Sequence, residues 1–283
     1  MAVSAAELKH DADFPILHVG VKPGDSAIFW SDVHAPIHDK LAMGLVVQAH
    51  RLIRPRLSVA GGDIFDVMAL SSHRKAARQQ LENGSLAGEA DSLAAELDEI
   101  ARASDYAVIL PGNHEGRVER LVDDVPGLHG VLKWHTPFDS VLGLWDCLPT
   151  GAAVRLGPLL LCHGHDLAGS LAASPALSVL RNYPGQSTIF GHCHKIDVAT
   201  RPSLRNGHQV VHGAWTFGHL SDPRRQGYAA AFRGAWQQGF GHIEFWDRGD
   251  GRLGFTCHPI RIYPTVTGGR VCRVAGVTLR AEA

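Results

Sequence analysis

Five short apolar runs in this chain each end in a cluster of Asp, Asn or His. Ala27-Ile28-Phe29-Trp30 enters Asp32-Val33-His34, Leu57 to Ala60 enters Gly62-Asp63, and Tyr106 to Leu110 enters Gly112-Asn113-His114-Glu115. Leu159 to Cys162 leads to His163-Gly164-His165, and Thr188 to Phe190 leads to Gly191-His192-Cys193-His194. Short apolar runs bounded by turn residues read as buried strands. Side chains just past the carboxyl ends of strands are where α/β folds gather binding and catalytic groups. The repetition constrains the chain to an α/β fold with its polar loops on one edge.

The intervening segments fit that reading. From Lys40 to Ile53, Leu41, Leu45, Ala49, Leu52 and Ile53 recur at helical spacing, and Pro55 ends the element. Leu86, Ala90, Leu93, Leu97 and Ile100 predict one long amphipathic helix, with Glu89, Asp91, Glu96, Asp98 and Glu99 mostly off the apolar stripe. Val154 to Leu156 and Leu159 to Cys162 pair as strands turned at Gly157-Pro158. Gln209 to Val211 and His242 to Trp246 are further strands, and Asp250-Gly251 turns a hairpin before Leu253 to Tyr263. A Gly- and Arg-rich insert spans Asp222 to Gly239. The expected organisation is one domain over 1–283, with a core at about 24–220 and a mostly β segment at about 221–283 completing or capping it.

At 283 residues, 45% hydrophobic and 19% charged, the composition is that of a globular domain, with no stretch apolar enough to cross a bilayer. Met1 to Phe14 carries Glu7, Lys9, Asp11 and Asp13 and lacks the basic start and apolar run of a secretory signal, so a cytoplasmic location is expected. Five scattered cysteines without a Cys-x-x-Cys pair read as reduced thiols. A net charge of −1 provides no basic footprint, so nucleic acid is a disfavoured partner. Gly-x-Ser-x-Gly and Walker A motifs are absent from the sequence.

Asp, Asn and His are ligands of hard to borderline divalent ions. In Asp32-Val33-His34 an extended backbone would point both side chains the same way, and His192-Cys193-His194 repeats the spacing. Asp63 could bridge two ions with its two oxygens. Asp32, His34, Asp63, Asn113, His163, His192 and His194 are seven candidate ligands, enough for two divalent ions about 3.5–4 Å apart. Mn²⁺ is the first expectation; Fe, Zn, Ni and Co suit the same donors. Such a pair serves phosphate ester hydrolysis.

Asp32-x-His34, Gly62-Asp63-x-x-Asp66, Gly112-Asn113-His114-Glu115, His163 and Gly191-His192-x-His194, in that order, resemble the calcineurin-like metallophosphoesterase superfamily. The resemblance spans residues 27 to about 215. It implies an α/β fold, a four-layer α-β-β-α sandwich of two mixed β-sheets flanked by helices, with the metals at the strand-end loops. By that resemblance Asp32, His34, Asp63 and His194 hold one metal, and Asp63, Asn113, His163 and His192 the other. His114 faces the leaving-group oxygen as general acid or transition-state stabiliser, oriented by Asp66. The implied reaction is hydrolysis of a phosphomonoester or phosphodiester by direct attack of a metal-bridging hydroxide, on a small phosphoester or nucleotide. A metal-dependent nuclease and a noncatalytic interaction protein are the alternatives. Val67-Met68 stands where protein serine/threonine phosphatases carry Arg-Gly, and the Gly-Asn-His-Glu form is more similar to small bacterial and phage phosphoesterases.

Other residues have plainer readings. His165 is expected behind the metals, and Cys162 and Cys193 as small buried hydrophobes turned from the site. His38, His73 and Arg74 lie beyond the metal loops and read as solvated, with phosphate contact as the sharper option. Tyr228, Phe232 and Trp236, with Arg224, Arg225 and Arg233 interleaved, read as a core-facing stripe ahead of a nucleotide-stacking rim. Asn83-Gly84-Ser85 reads as a turn.

Overall fold

Strands buried on both faces carry no polar alternation, and Ser26–Trp30 (β3), Leu57–Ala60 (β4) and Tyr106–Ile109 (β5) are of this kind. The computed structural model describes residues 8–11, 14–71, 85–205, 208–222, 224–225 and 234–283. In it, β3, β4 and β5 lie parallel in a six-stranded sheet, with Asp146–Cys147 (β6) on one edge. Gly239–Asp247 (β12) and Leu253–Arg261 (β13) run antiparallel on the other edge as the expected hairpin.

A seven-stranded mixed sheet lies against it. Its order is Leu8–Asp11 (β1), Phe14–Val19 (β2), Ala153–Leu156 (β7), Leu159–Cys162 (β8), Ser187–Phe190 (β9), His208–Phe217 (β11) and Ile196–Arg205 (β10). Phe29, Val59, Val108, Leu161, Ile189 and Phe217 fill the space between the sheets. On the far side of the six-stranded sheet, Ile28 and Trp30 meet Leu45 and Ala49 of Lys40–Ile53 (α1), and Leu97 and Ile100 belong to the same core. Pro175–Asn182 (α5) covers Phe190 and Ala214 on the outer face of the other sheet. The result is the α-β-β-α sandwich expected from the resemblance. Fully burying each of these large side chains contributes about 1.5–3 kcal/mol, and that burial holds the layers together.

Register sets the site. Trp30 pairs with Ala60, and Ala60 with Ile109, so β3, β4 and β5 end level and bring Asp32, Asp63 and Asn113 to one edge. Cys162 pairs with Phe190, which brings the loops carrying His163 and His192 side by side.

Asp39 caps α1 by accepting from the N–H groups of Leu41 and Ala42, at 3.1 and 3.2 Å. Arg54 closes the helix in the left-handed region ahead of Pro55. Arg270 donates to Asp39, and Gln48 to the Arg280 carbonyl. These contacts tie a three-stranded sheet, Tyr263–Pro264 (β14), Arg270–Val274 (β15) and Val277–Ala281 (β16), to the helix layer.

The long helix expected from Leu86 to Ile100 is two helices, Leu86–Asp91 (α2) and Ala94–Arg102 (α3). Ser92 Oγ donates to the Glu89 carbonyl at 2.8 Å, a side-chain bond that competes with the helix ladder, and Leu93 leaves helical geometry. Glu89, expected off the apolar stripe, is buried.

Inside the helix layer, Trp30 Nε1 donates to Ser58 Oγ, Ser58 Oγ donates to His50 Nε2 at 2.9 Å, and His50 Nδ1 donates to the Val46 carbonyl at 2.8 Å. Burial pulls the His50 imidazole down to about 4. A histidine whose folded value lies below its unfolded 6.5 binds fewer protons when folded between those values, so its share of stability rises with pH across pH 4 to 6.5. The expected gain is about 3 kcal/mol. Urea unfolding of the wild type and His50→Gln at steps across that range checks it: the stability difference between the two should widen as pH rises.

Candidate metal centre

Asp32, His34, Asp63, His192 and His194 all have positive φ, between 51° and 68°. The extended backbone expected for Asp32-x-His34 and His192-x-His194 is therefore corrected: the ligand positions are left-handed. The cause is the interlocking of neighbouring loops. Asp32 N–H donates to the Gly62 carbonyl at 3.0 Å and His34 N–H to the Asp63 carbonyl at 2.9 Å, while His192 N–H donates to the Asp32 carboxylate. Left-handed geometry costs about 1–2 kcal/mol per residue, and such strain collects where geometry matters more than stability.

Three groupings of ligand atoms lie together, each within 4.8 Å: Asp32, His34 and His194; Asp63, His163 and His192; and His34, Asp63 and His114. In the first, His34 Nε2 is 3.3 Å from His194 Nε2, which is 3.2 Å from Asp32 Oδ1. In the second, His163 Nε2 is 3.4 Å from Asp63 Oδ2 and 3.3 Å from Asn113 Oδ1. His34 shares a contact with Asp66 at Nδ1 (3.2 Å), and His163 Nδ1 donates to the Gly61 carbonyl at 2.9 Å. With Nδ1 committed, each ring turns its Nε2 into the cluster, His163 toward two oxygens and His34 toward His194 Nε2. The donor set, carboxylate oxygens and imidazole nitrogens, fits divalent cations.

The electrostatics reflect the same crowding. Burial pulls His163 down, but the Asp63 carboxylate outweighs it and pushes the imidazole up to about 10. Despite burial, which alone would raise it, Asp63 is held well below the ordinary carboxylate range by His163 and His114. Asp32 is likewise lowered by His194, although burial alone would raise it. Burial and the charge on His163 take His192 down to about 4.

His114 is arranged differently. Its Nδ1 lies 2.9 Å from Asp66 Oδ1, its backbone N–H donates to Asp63 Oδ1 at 2.9 Å, and its Nε2 stays 3.9 Å from Asp63 Oδ2. Arg117, in Gly116–Asp124 (α4), places Nη2 3.4 Å from His114 Nε2 and donates through Nη1 to the Asp66 carbonyl. A guanidinium beside Nε2 opposes a third cation there. Burial lowers His114, yet Asp63 and Asp66 together carry it up to about 9, with Arg117 opposing.

Two buried carboxylates take site roles that the sequence does not signal. Glu115 accepts from four backbone N–H groups, those of Asp63 (3.0 Å), Ile64 (2.7 Å), Phe65 (2.9 Å) and Gly112 (2.8 Å). Glu89 accepts from Val67 and Met68, and so holds the turn after Asp66, where Val67 sits at φ 47°. Burial raises Glu89 to about 7. The Glu of Gly-Asn-His-Glu was in view without a role; nothing in the sequence marks Glu89 apart from its neighbours.

The remaining candidates are scattered. His165 pairs with Asp166 at 3.2 Å, its ring centroid 5.3 Å from that of His163. Cys193 Sγ contacts Thr216 Oγ1 at 3.1 Å. His38, expected as solvated, is buried, because it pairs with Ser221 across an isolated bridge. Trp236 sets its ring edge-on to His194, with centroids 4.2 Å apart, and His219 stacks on His194 from 5.1 Å. Ser85 caps α2 by accepting from Gly88 N–H. His73, Arg74, Asn83, Gly84, Tyr228, Phe232 and Arg233 lie outside the described residues.

No family model matches the sequence, and no curated protein matches it. Among solved structures, a single mutant of Vps29 from Entamoeba histolytica is similar at 11% identity, covering 91% of this chain and 99% of that chain, with a TM-score of 0.41. A dimetal phosphatase from Danio rerio is similar at 16% identity, over 92% of this chain and 99% of that one, with a TM-score of 0.40. A predicted phosphoesterase from Streptococcus pneumoniae is similar at 10% identity, over 93% and 100%, with a TM-score of 0.34. Likeness this distant leaves the chemistry to this chain's own residues.

Glycine gives the cluster its closeness. A Cβ on Gly112 would overlap Asp63 Oδ1, and one on Gly62 would stand 2.6 Å from His163 Nδ1. Gly112→Ala should therefore displace Asp63 and weaken Mn²⁺ binding by about tenfold or more, with the far-UV circular dichroism unchanged. Titration calorimetry with Mn²⁺ checks it.

Proposed function

We propose that this chain is a calcineurin-like metallophosphoesterase, hydrolysing a phosphomonoester or phosphodiester with two divalent metal ions. The observation that carries the reading is the pair of ligand groupings, Asp32, His34 and His194 beside Asp63, His163 and His192, with Asp63 also within 4.8 Å of His34 in a third grouping that includes His114. Two bound ions would polarise a phosphoryl oxygen and supply a nucleophilic water near neutral pH.

The chain's own residues divide the remaining work. Asp32, His34 and His194 would hold one ion and Asn113, His163 and His192 the other, with Asp63 serving both. Asp66 takes the Nδ1 protons of both His34 and His114, fixing two tautomers with one carboxylate. His114 is then left with Nε2 as the atom that delivers a proton to, or hydrogen-bonds, the leaving oxygen. Arg117 beside it keeps that atom from binding metal and adds positive charge where the leaving oxygen gains negative charge.

His114→Ala should retain both metals and lower kcat by roughly 10²–10⁴-fold, the scale of general acid loss; elemental analysis alongside p-nitrophenyl phosphate and bis-p-nitrophenyl phosphate assays reads both. Asp63→Ala should deplete both ions. Wild-type protein carrying two Mn²⁺ that turns over no phosphoester in a screen of monoesters, diesters, cyclic nucleotides and oligonucleotides would sink the proposal.

A further inference from the structure

The outer face of the seven-stranded sheet is not covered evenly. Helix α5 lies over the side where β9, β10 and β11 run, whereas Ile16 of β2, Ala153 of β7, and Leu160 and Cys162 of β8 line a cavity of about 270 Å³. Leu167 and Tyr183 wall it. His163 and His165 line it as well, and His163 is the residue whose Nε2 meets Asp63 and Asn113. The cavity and the ligand cluster therefore share a wall. Pro111, two residues before Asn113, lines the same space.

The chemistry of the lining decides what could enter. The floor is apolar, and several of the polar side chains around it are already engaged. Tyr183 Oη accepts from the Ala168 N–H at 3.2 Å. Gln186 donates to the Ser187 carbonyl at 2.8 Å and accepts from Arg155 at 3.4 Å. Asp166 is paired with His165. A nucleobase or sugar placed here would find the Tyr183 hydroxyl proton and His165 Nδ1, which lacks a partner, and would bury its remaining polar atoms against the apolar floor, at about 1–3 kcal/mol for each. An apolar group would meet no such cost. A cavity of about 150 Å³ lined by aliphatic side chains accepts benzene, so this one has room for a phenyl ring with a substituent, or an alkyl chain of similar bulk.

We propose that this cavity receives the organic group of the phosphoester, and that the group is aryl or alkyl rather than a nucleobase or a sugar. The inference rests on the phosphoesterase reading above, and it narrows the expected small phosphoester or nucleotide to the former.

Non-hydrolysable phosphonates test it without turnover. On Mn²⁺-loaded protein, titration calorimetry should show phenylphosphonate binding about tenfold or more tightly than methylphosphonate, the scale expected from burying a ring's apolar surface. Leu160→Gln, which places an amide in the floor, and Ala153→Phe, which fills it, should each cut that preference below about threefold at unchanged metal content. Two substitutions of opposite kind guard against a folding defect in either one. Equal affinity for the two phosphonates overturns the inference, as does adenosine 5′-monophosphate binding more tightly than phenylphosphonate, or a preference that survives both variants. All three outcomes leave the phosphoesterase reading standing. If neither phosphonate binds a protein that carries two Mn²⁺, and no phosphoester is turned over, both fall together.

Discussion

One buried carboxylate organises the centre of this protein. Glu115 accepts four backbone N–H groups drawn from two loops, the one after β4 at Asp63, Ile64 and Phe65 and the one after β5 at Gly112. A carboxylate has about four lone-pair positions, so its acceptor capacity is filled by amides alone. Hydrogen bonds to an ionised acceptor are roughly twice as strong as neutral ones. Burial and the nearby Asp63 push Glu115 toward its neutral form, and the donated N–H groups oppose them. The two loops are thereby locked together at the point where Asp63 and Asn113 leave the sheet.

That lock makes the strained backbone tolerable. Asp63 lies at φ 51° with its N–H on Glu115 and its Oδ1 receiving the His114 N–H. Asp32 and His34 are pinned in turn on the carbonyls of Gly62 and Asp63. The chain of dependence runs from Glu115 through the β4 loop to the β3 loop, and from Asp32 to the amide of His192 on the other sheet. No single loop would hold its left-handed residue unaided. Each is over-determined by its neighbour, and the apolar layers on either side of the sheets offset the cost.

The parts of this architecture that local patterns encode were legible in the sequence. Helix α1 ends at the residues its apolar spacing and Pro55 predict, and strands β3, β4, β8 and β9 lie where short apolar runs meet glycine or histidine. Other features depend on partners distant in the chain. The break at Ser92 answers to Glu89 turning inward to hold Val67 and Met68, which periodicity counts as one more polar residue in a helix. Strand β2 pairs with β7, over a hundred residues away, and α4 and α5 span only nine and eight residues. In the candidate site, residue types and their order pointed to the cluster, but its backbone geometry did not follow from them. Spacing of two suggests extended chain, whereas the interlocked loops impose the opposite hand at Asp32, His34, His192 and His194.

The same logic separates three similar groupings of ligand atoms into two kinds. His34, Asp63 and His114 lie as near one another as the other two sets. What differs is what stands behind each Nε2. The His163 atom faces the oxygens of Asp63 and Asn113 and the His34 atom faces His194 Nε2, whereas a guanidinium stands beside the His114 atom. Asp66 anchors both His34 and His114 through Nδ1, and Arg117 sets the surroundings of their Nε2 atoms apart. The difference among these histidines thus comes from their neighbours, not from the rings themselves.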